Sequence, residues 1–182
     1  MAAQKRDHYN FARITVLKQQ GSEEAMALLK KAAHQVQPIM IRHKWSVPVL
    51  AEFSPRNPGL LGVNQYESGS GTGAIRLRLR RPTQNSVFYD FDFILGTLLH
   101  EMSHIVHQHH KEPFWKLYHE LNVELDELMT KGIAGTGQGF DAPSAGRLGG
   151  KGPGAHNPSP AVLRAAMVKA AEERQRMQTL VP

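Results

Sequence analysis

The sequence predicts one domain in which α-helices and β-strands are mixed along the chain. Its 182 residues are the size of a single domain. Hydrophobic residues make up 41% and charged residues 21%, close to an ordinary globular composition, so a core can form. Apolar residues recur at helical spacing in some segments and alternate with polar residues in others. We therefore expect a single domain over residues 1–182, with residues 1–7 flexible.

A strand and a long helix are predicted first. Residues 8–17 alternate apolar and polar side chains, which is typical of a strand or an extended arm. Ser22 is a suitable N-cap for a helix whose apolar residues keep helical spacing as far as about Arg42. Proline removes a backbone donor inside a helix, so we expect a kink at Pro38.

Residues 47–73 are predicted to form two strands and a loop. Residues 47–53 and the segment that begins at Leu60 have the composition of strands, with a proline- and glycine-containing turn between them. Residues 67–73 are small and rich in glycine and serine, and we expect a mobile loop there.

The run from residue 75 to residue 81 alternates apolar residues with arginines. On a strand the apolar set, Ile75, Leu77 and Leu79, would face the core. The arginines would lie on the opposite side or at the end of the run; they are Arg76, Arg78, Arg80 and Arg81. Two interpretations stay open: a solvated strand protected by its charges, and a stripe that contacts nucleic-acid phosphates.

The pattern His-Glu-x-x-His lies within a helix predicted to start at Asp90 or Asp92. His100 and His104 are one helical turn apart on the same face, close enough to hold one ion. Glu101 is rotated away from that face, so it misses the ion but can reach a water molecule bound to it. The motif therefore predicts a metal site with its own general base.

A third ligand is expected beyond this helix, where His107, His109 and His110 follow. In a metzincin-like pattern the chain turns sharply after the second histidine and supplies the third six residues later, at His110. His107 is expected to remain helical and to face elsewhere. His109 is interpreted as an exposed loop histidine.

The ligand types predict a catalytic zinc site. Three histidines leave the fourth tetrahedral position open for water, which distinguishes catalytic from structural zinc. The chain has no cysteine, which excludes thiolate sites, disulfides and cysteine nucleophiles. Zinc lowers the pKa of bound water from its high bulk value toward about 7. Glu101 would take the proton and pass it to a leaving amine, so the motif indicates peptide hydrolysis with one Zn²⁺.

The last third of the chain contains two further predicted helices and a long irregular segment. Gly132 is a suitable stop for a helix that starts near Pro113. Residues 132–160 are dense in glycine and proline, and a segment of this length is either functional or a linker. Residues 161–178 are predicted to form a surface helix, because charged residues such as Arg164 alternate along it.

Charge and hydropathy limit the classes of partner. The net charge of +6 permits attraction to polyanions. No apolar run approaches the roughly 20 residues of a membrane helix, and the N-terminus lacks the apolar core of a secretion signal. The lack of disulfides fits an intracellular compartment. We expect no membrane partner.

Several stretches carry a resemblance to a known family. They are Pro38-Ile39-Met40, Trp45-Ser46-Val47, Leu60-Leu61-Gly62-Val63-Asn64, Ile75-Arg76-Leu77-Arg78-Leu79-Arg80, Thr97-Leu98-Leu99-His100-Glu101-Met102-Ser103-His104, His110, Phe114 and Arg147-Leu148-Gly149-Gly150. The zinc motif together with the late glycine-rich signature is specific. On these residues the chain resembles the WLM-type metalloproteases, the weak-suppressor-of-SUMO family of DNA-dependent proteases, which are related in role to the Spartan proteases.

The resemblance implies a compact zincin-like α+β fold with a small twisted sheet, an active-site helix and a glycine-rich segment followed by a helix. It implies zinc ligands at His100, His104 and His110, with Glu101 as the base. It also implies nuclear repair of DNA–protein crosslinks. Enzymes of this kind degrade the crosslinked protein, and cleave themselves, when DNA, especially single-stranded DNA, activates them.

The chain departs from the family pattern near the third histidine. The family usually has Gly-Pro before that histidine and an acidic residue after it, where this chain has Gln108, His109 and Lys111. His109 therefore stays an alternative ligand. Family members often carry C-terminal tails that bind SUMO and a AAA-type segregase. The chain stops at Pro182 without such a tail, so we expect a catalytic core or a minimal member.

Two other functions compete with a protease that acts on DNA-attached protein. One is a DNA-independent zinc peptidase, or an isopeptidase acting on ubiquitin or SUMO conjugates. The other is a DNA-binding module in which zinc is only structural. Glu101 argues against the module, because a structural site needs no base beside it.

Overall fold

The computed structural model describes residues 9–133, 164–166 and 168–169. The helices are α1 (Ser22–His43), α2 (Phe91–Ser103) and α3 (Glu112–Thr130). The strands are β1 (Phe11–Thr15), β2 (Val47–Glu52), β3 (Gly62–Glu67), β4 (Gly71–Leu77), β5 (Arg80–Arg81) and β6 (Gln84–Phe88). This is the α+β class that the sequence predicts. None of the helices built from the described residues has the length and apolarity needed to cross a membrane.

Four strands form a mixed sheet in the order β1-β2-β4-β3. β1, β2 and β4 are parallel, and Leu50 on β2 lies opposite Ile75 on β4, both fully buried. β3 pairs antiparallel with β4 and forms one edge of the sheet. α1 packs on β1 and β2, while α2 packs on β3 and β4 and α3 packs on the other two helices. α2, which contains the His-Glu-x-x-His motif, therefore lies directly beside the edge strand.

The hairpin between β3 and β4 replaces the mobile loop predicted over residues 67–73. Pairing continues as far as Glu67 opposite Gly71, so only residues 68–70 are left to turn the chain. Gly69 and Gly71 have φ angles of 84° and 83°, in the left-handed region that glycine adopts without strain. The loop prediction is wrong because these glycines serve a tight turn rather than chain mobility.

Helix ends mostly follow their local signals. α2 begins after Asp90, one of its two predicted starts. α3 is followed by Gly132, whose φ angle of 67° is that of a helix stop. α1 covers the predicted range, but its N-cap is Gly21, with a φ angle of 78°, and Ser22 is already helical. The prediction of Ser22 as the N-cap is therefore wrong by one residue.

The final helix predicted over residues 161–178 is described only at residues 164–166 and 168–169, all of which are helical. Arg164 is 1% exposed and Val168 is 2% exposed. The prediction of a surface helix is wrong for these two residues, because charge alternation does not reveal a buried arginine. Residues 1–7 and 134–160, predicted to be flexible and irregular, lie outside the described residues.

Candidate active site

α2 holds the His-Glu-x-x-His motif in a buried position. Leu98, Leu99 and Met102 are fully inaccessible to solvent and belong to the hydrophobic core. His100 and Glu101 lie between them in sequence and are only 4% and 5% exposed. Because the helix is fixed by its apolar side chains, its two polar side chains are also held in fixed positions.

The chain leaves α2 in a tight turn immediately after the motif. α2 ends at Ser103, and His104 is its C-cap. The amide of His107 donates to the Ser103 carbonyl at 3.0 Å. Nδ1 of His104 lies 2.9 Å from the His107 carbonyl oxygen; because a carbonyl only accepts, Nδ1 is the donor and Nε2 remains for a ligand. The prediction that His107 stays helical is wrong, and its carbonyl orients His104 instead.

This turn brings His110 back to the two motif histidines. Its Nε2 lies 3.0 Å from Nε2 of His100 and 3.0 Å from Nε2 of His104. Within the described residues, these three form a group that could hold a metal ion. A tetrahedral zinc ion with Zn–N distances of about 2.0–2.1 Å separates its ligands by about 3.3 Å, so the three rings fit it. His109 is exposed and does not belong to this group.

Aromatic residues of α3 form the floor beneath the histidines. Phe114 is fully buried, and its ring centroid lies 4.9 Å from that of His100, 4.6 Å from His104 and 4.8 Å from His110. Tyr118 packs edge-on against His100 and donates a hydrogen bond to a carbonyl of α2 at 3.1 Å. The sequence predicts a helix here, but its periodicity does not show that Phe114 and Tyr118 contact the histidines.

The edge strand β3 holds Glu101 from the other side. The Asn64 side-chain amide donates to the Glu101 carbonyl at 3.0 Å, and Thr72 donates to the Asn64 side-chain oxygen at 3.0 Å. A Cβ atom added to Gly62 would lie 2.7 Å from Oε1 of Glu101. Glycine at this position therefore makes room for the carboxylate. The sequence predicts the strand here but not the role of Gly62, Asn64 or Thr72.

A cleft of about 510 Å³ opens over these groups. Its walls are residues 59–64 and Tyr66 on one side, and Thr97, His100, Glu101, His104, Gln108, His110 and Val168 on the other. Within the described part of the chain β3 pairs with β4 alone, so its other edge presents backbone hydrogen-bonding groups that an extended chain can pair with. The candidate metal ligands, the carboxylate and this edge strand thus share one cleft.

Arg78 does not lie on the predicted arginine stripe. It is 5% exposed, and its guanidinium donates to the carbonyls of Pro55, Asn57 and Leu60 at 2.6, 3.0 and 3.0 Å. Removal from water lowers the pKa of the Arg78 guanidinium below its ordinary value. β4 ends at Leu77, and the loop before β3 folds over the arginine. The prediction of Arg78 in a solvent-facing stripe is therefore wrong.

Arg80 is also buried, at 6% exposure. Its Nε donates to Oε1 of Glu52 at 2.7 Å, and its Nη1 donates to the Gln20 carbonyl at 2.5 Å. The prediction that Arg80 faces solvent is wrong, because β5 forms a separate hairpin with β6 and turns this side chain inward. Ile75, Leu77 and Leu79 are fully buried as predicted. Arg76 and Arg81 are exposed, so DNA contact at these two residues stays a prediction.

Fold and site together define an α+β domain with three histidines that could hold a metal ion and a carboxylate beside them, the residue set of metal-dependent hydrolases. The chain belongs to the WLM domain family, whose model matches residues 9–180.

Two curated relatives match most of this chain. It is 30% identical over 135 residues to the DNA-dependent metalloprotease WSS1 homolog 2 of Schizosaccharomyces pombe, an alignment that covers 70% of this chain and 46% of the relative. It is 33% identical over 129 residues to the DNA-dependent metalloprotease WSS1 of Saccharomyces cerevisiae, with coverage of 71% and 45%. The chain thus spans about half the length of the curated relatives it matches.

Solved structures agree with the fold. The crystal structure of Wss1 from S. cerevisiae matches with a TM-score of 0.65 and 31% identity, over 69% of this chain and 96% of that one. The crystal structure of Wss1 from S. pombe matches with a TM-score of 0.57 and 33% identity, over 65% of this chain and 95% of that one. These matches confirm the predicted α+β fold.

Proposed function

We propose that this chain is a zinc-dependent endopeptidase. The observation that carries the proposal is the approach of three histidine Nε2 atoms to 3.0 Å separations beside a buried carboxylate, Glu101, in an open cleft. Three histidine ligands leave a coordination position for water or substrate, as in catalytic zinc sites. The names of the two relatives, both metalloproteases, support the same activity.

The protein residues have distinct roles in this mechanism. His100, His104 and His110 would hold the ion, which when bound polarises the scissile carbonyl and acidifies water. Glu101 accepts the proton of the attacking water and returns it to the leaving amine, so atoms and charge balance over the two steps. Asn64 positions Glu101 by holding the last turn of α2. Extended peptide substrate pairs with the edge of β3.

The proposed substrate is protein attached to DNA. Relatives named DNA-dependent metalloproteases, and a net charge of +6, support activation by DNA. Single-stranded DNA is proposed as the activator from the family resemblance. Self-cleavage, degradation of the protein part of DNA–protein crosslinks and a nuclear location are proposed from the family resemblance. Recognition of SUMO or ubiquitin conjugates and of a AAA-type segregase is proposed on the same ground only through a tail of the kind that family members carry, which this sequence does not include. A single catalytic domain over residues 1–182 is proposed as well.

A second candidate function is a zinc peptidase or isopeptidase that needs no DNA. The burial of Arg78 and Arg80 favours it, because two of the four arginines of the predicted stripe are engaged inside the protein.

One assay separates these functions. Cleavage of a DNA-binding protein, and of the chain itself, is measured with and without single-stranded DNA for the wild type, Glu101→Gln and the exposed control Glu120→Gln. We expect DNA-dependent cleavage by the wild type and the control. We expect Glu101→Gln to keep stoichiometric zinc but to lose at least about 10²-fold in rate.

Other outcomes would support a different function or contradict the mechanism. DNA-independent cleavage supports the second candidate. A zinc-loaded wild type with no activity under either condition supports the DNA-binding module. An active Glu101→Gln variant that retains zinc contradicts the mechanism.

A further inference from the structure

The C-terminal helical residues, meaning 164–166 and 168–169, are attached to α3 by a buried arginine. Arg164 donates from Nε to the Asn122 side-chain oxygen at 3.2 Å and from Nη2 to the Asn122 carbonyl at 3.5 Å. Nη2 also forms an ion pair with Asp126. Asn122 is itself fully buried. Breaking a buried charged contact leaves a desolvated partner, so this attachment is strong.

The same residues lie against α2 where that helix has no side chain. A Cβ atom added to Gly96 would lie 3.2 Å from Cβ of Arg164 and 3.4 Å from Cγ2 of Val168. Gly96 precedes His100 by four residues, so the two positions lie on the same face of α2. The C-terminal helical residues are therefore packed one helical turn away from the proposed metal site.

Val168 reaches the cleft from this position. It is 2% exposed and lines the cleft together with Thr97, which is 3% exposed. The Thr97 hydroxyl donates to the Phe93 carbonyl at 3.1 Å, inside α2. Both residues therefore contribute only a small part of their surface to the cleft.

Apolar side chains line both sides of the cleft. Leu60, Leu61 and Val63 lie on the side formed by β3, and Val168 lies on the side of the histidines. Among the described residues that line the cleft, Glu101 is the one carboxylate, and lysine and arginine are absent. A charged substrate side chain placed here would lose its hydration without gaining a partner, whereas an aliphatic one would bury apolar surface.

We propose that the C-terminal helical residues form the inner wall of the substrate cleft, and that Val168 selects uncharged, aliphatic side chains of the bound peptide. Arg164 acts as the positioning residue that keeps this wall on α3. The inference rests on the proposed peptidase function and adds to it the class of side chain accepted beside the scissile bond. It assigns to the C-terminal part of the chain a direct part in specificity.

Cleavage-site mapping tests the role of Val168. A DNA-bound protein substrate is digested by the wild type, Val168→Ala, Val168→Phe and the control Ala166→Phe, which adds the same ring at an exposed position of the same stretch, and the products are identified by mass spectrometry. We expect Val168→Phe to lower kcat/KM at aliphatic sites at least about tenfold and to shift cleavage toward glycine and alanine. We expect Val168→Ala to admit larger side chains.

Unchanged cleavage sites and relative rates in both Val168 variants would overturn the selection. The same shift in Ala166→Phe would also overturn it, because the effect would then come from the helix and not from the cleft. Zinc content is measured for every variant, so that loss of the metal is not mistaken for a change of specificity.

The anchoring role of Arg164 is tested without relying on activity. Hydrogen exchange is followed over the peptides that contain residues 164–169 in the wild type, Arg164→Lys and Asp126→Asn. We expect exchange at least about tenfold faster in both variants, since lysine cannot reproduce the planar fork of arginine. Asp126→Asn keeps the Asn122 contacts, so it tests the anchor even where Arg164→Lys fails to fold.

Hydrogen exchange unchanged from the wild type in both variants would overturn the anchoring role of Arg164.

The two experiments also separate this inference from the proposed function. A wild type that cleaves no peptide refutes the peptidase proposal, and the selection by Val168 with it. Normal cleavage with unchanged specificity in the variants refutes only the selection.

Discussion

The side-chain amide of Asn64 on β3 donates a 3.0 Å hydrogen bond to the main-chain carbonyl of Glu101 on α2. The amide of Ile105, which would reach this carbonyl if the helix continued, bonds instead to the Met102 carbonyl at 3.0 Å. The last carbonyls of a helix need partners from outside it. Asn64 supplies one, and in doing so it fixes the edge strand of the cleft to the turn that carries the proposed general base.

Replacing Asn64 should slow catalysis more than it weakens substrate binding. We expect Asn64→Ala to lower kcat by about 10- to 100-fold with a smaller change in KM, because a small displacement of a catalytic group is costly. Zinc content should stay stoichiometric. Gln65→Ala is the matched control, since its side chain accepts a hydrogen bond from exposed Arg76 instead. Equal kcat values in the two variants would contradict a positioning role for Asn64.

A methyl group at Gly62 should displace the proposed base directly. The added Cβ would lie 2.7 Å from Oε1 and 2.8 Å from Cγ of Glu101, closer than non-bonded atoms approach. We expect Gly62→Ala to reduce kcat about 100-fold or more while the protein stays folded and binds zinc. Steady-state kinetics and metal analysis check this. Wild-type kcat in the variant would show that the carboxylate moves aside without consequence.

Site residues that lie close together in the sequence could be predicted, whereas contacts between distant parts of the chain could not. His100, Glu101 and His104 share one helix, so their spacing alone places them together. His110 depends on a single tight turn; the spacing of the motif favoured it but left His109 as an alternative. Asn64 meets Glu101 across 37 positions, and no periodicity encodes such a contact. Alternation likewise did not reveal that Arg78 follows the end of β4 and is covered by the loop before β3.

Alanine substitutions in the predicted arginine stripe should fall into two groups by their effect on the free energy of unfolding. Arg80→Ala leaves Glu52 buried without its ion-pair partner, so we expect a loss of about 3–5 kcal/mol in the free energy of unfolding. Arg76→Ala should change stability by less than about 0.5 kcal/mol, because its side chain is exposed. Urea denaturation measures both values. A small loss for Arg80→Ala would show that Glu52 finds another partner.

DNA contact by the exposed pair is tested by the salt dependence of binding. If Arg76 and Arg81 contact phosphates, each alanine variant should lower the slope of log K against log salt for single-stranded DNA by about 0.7. Fluorescence anisotropy over a range of salt concentrations measures this slope. Lys116→Ala, an exposed cation on α3, is the control. Slopes identical to that of the control would remove these arginines from the DNA interface.

Zinc binding should discriminate between His110 and its neighbour. The Nε2 atom of His110 lies 3.0 Å from Nε2 of both His100 and His104, whereas the His109 side chain is exposed and outside the group. We expect His110→Ala to weaken zinc binding by more than about 100-fold, since even outer partners of a metal site are worth up to that factor. His109→Ala should bind zinc as the wild type does. Competition with a chelator measures both affinities. Loss of zinc in His109→Ala with retention in His110→Ala would reverse the assignment of the third ligand.

The same competition at lower pH should show weaker zinc binding by the wild type, because histidine must be neutral to bind the ion.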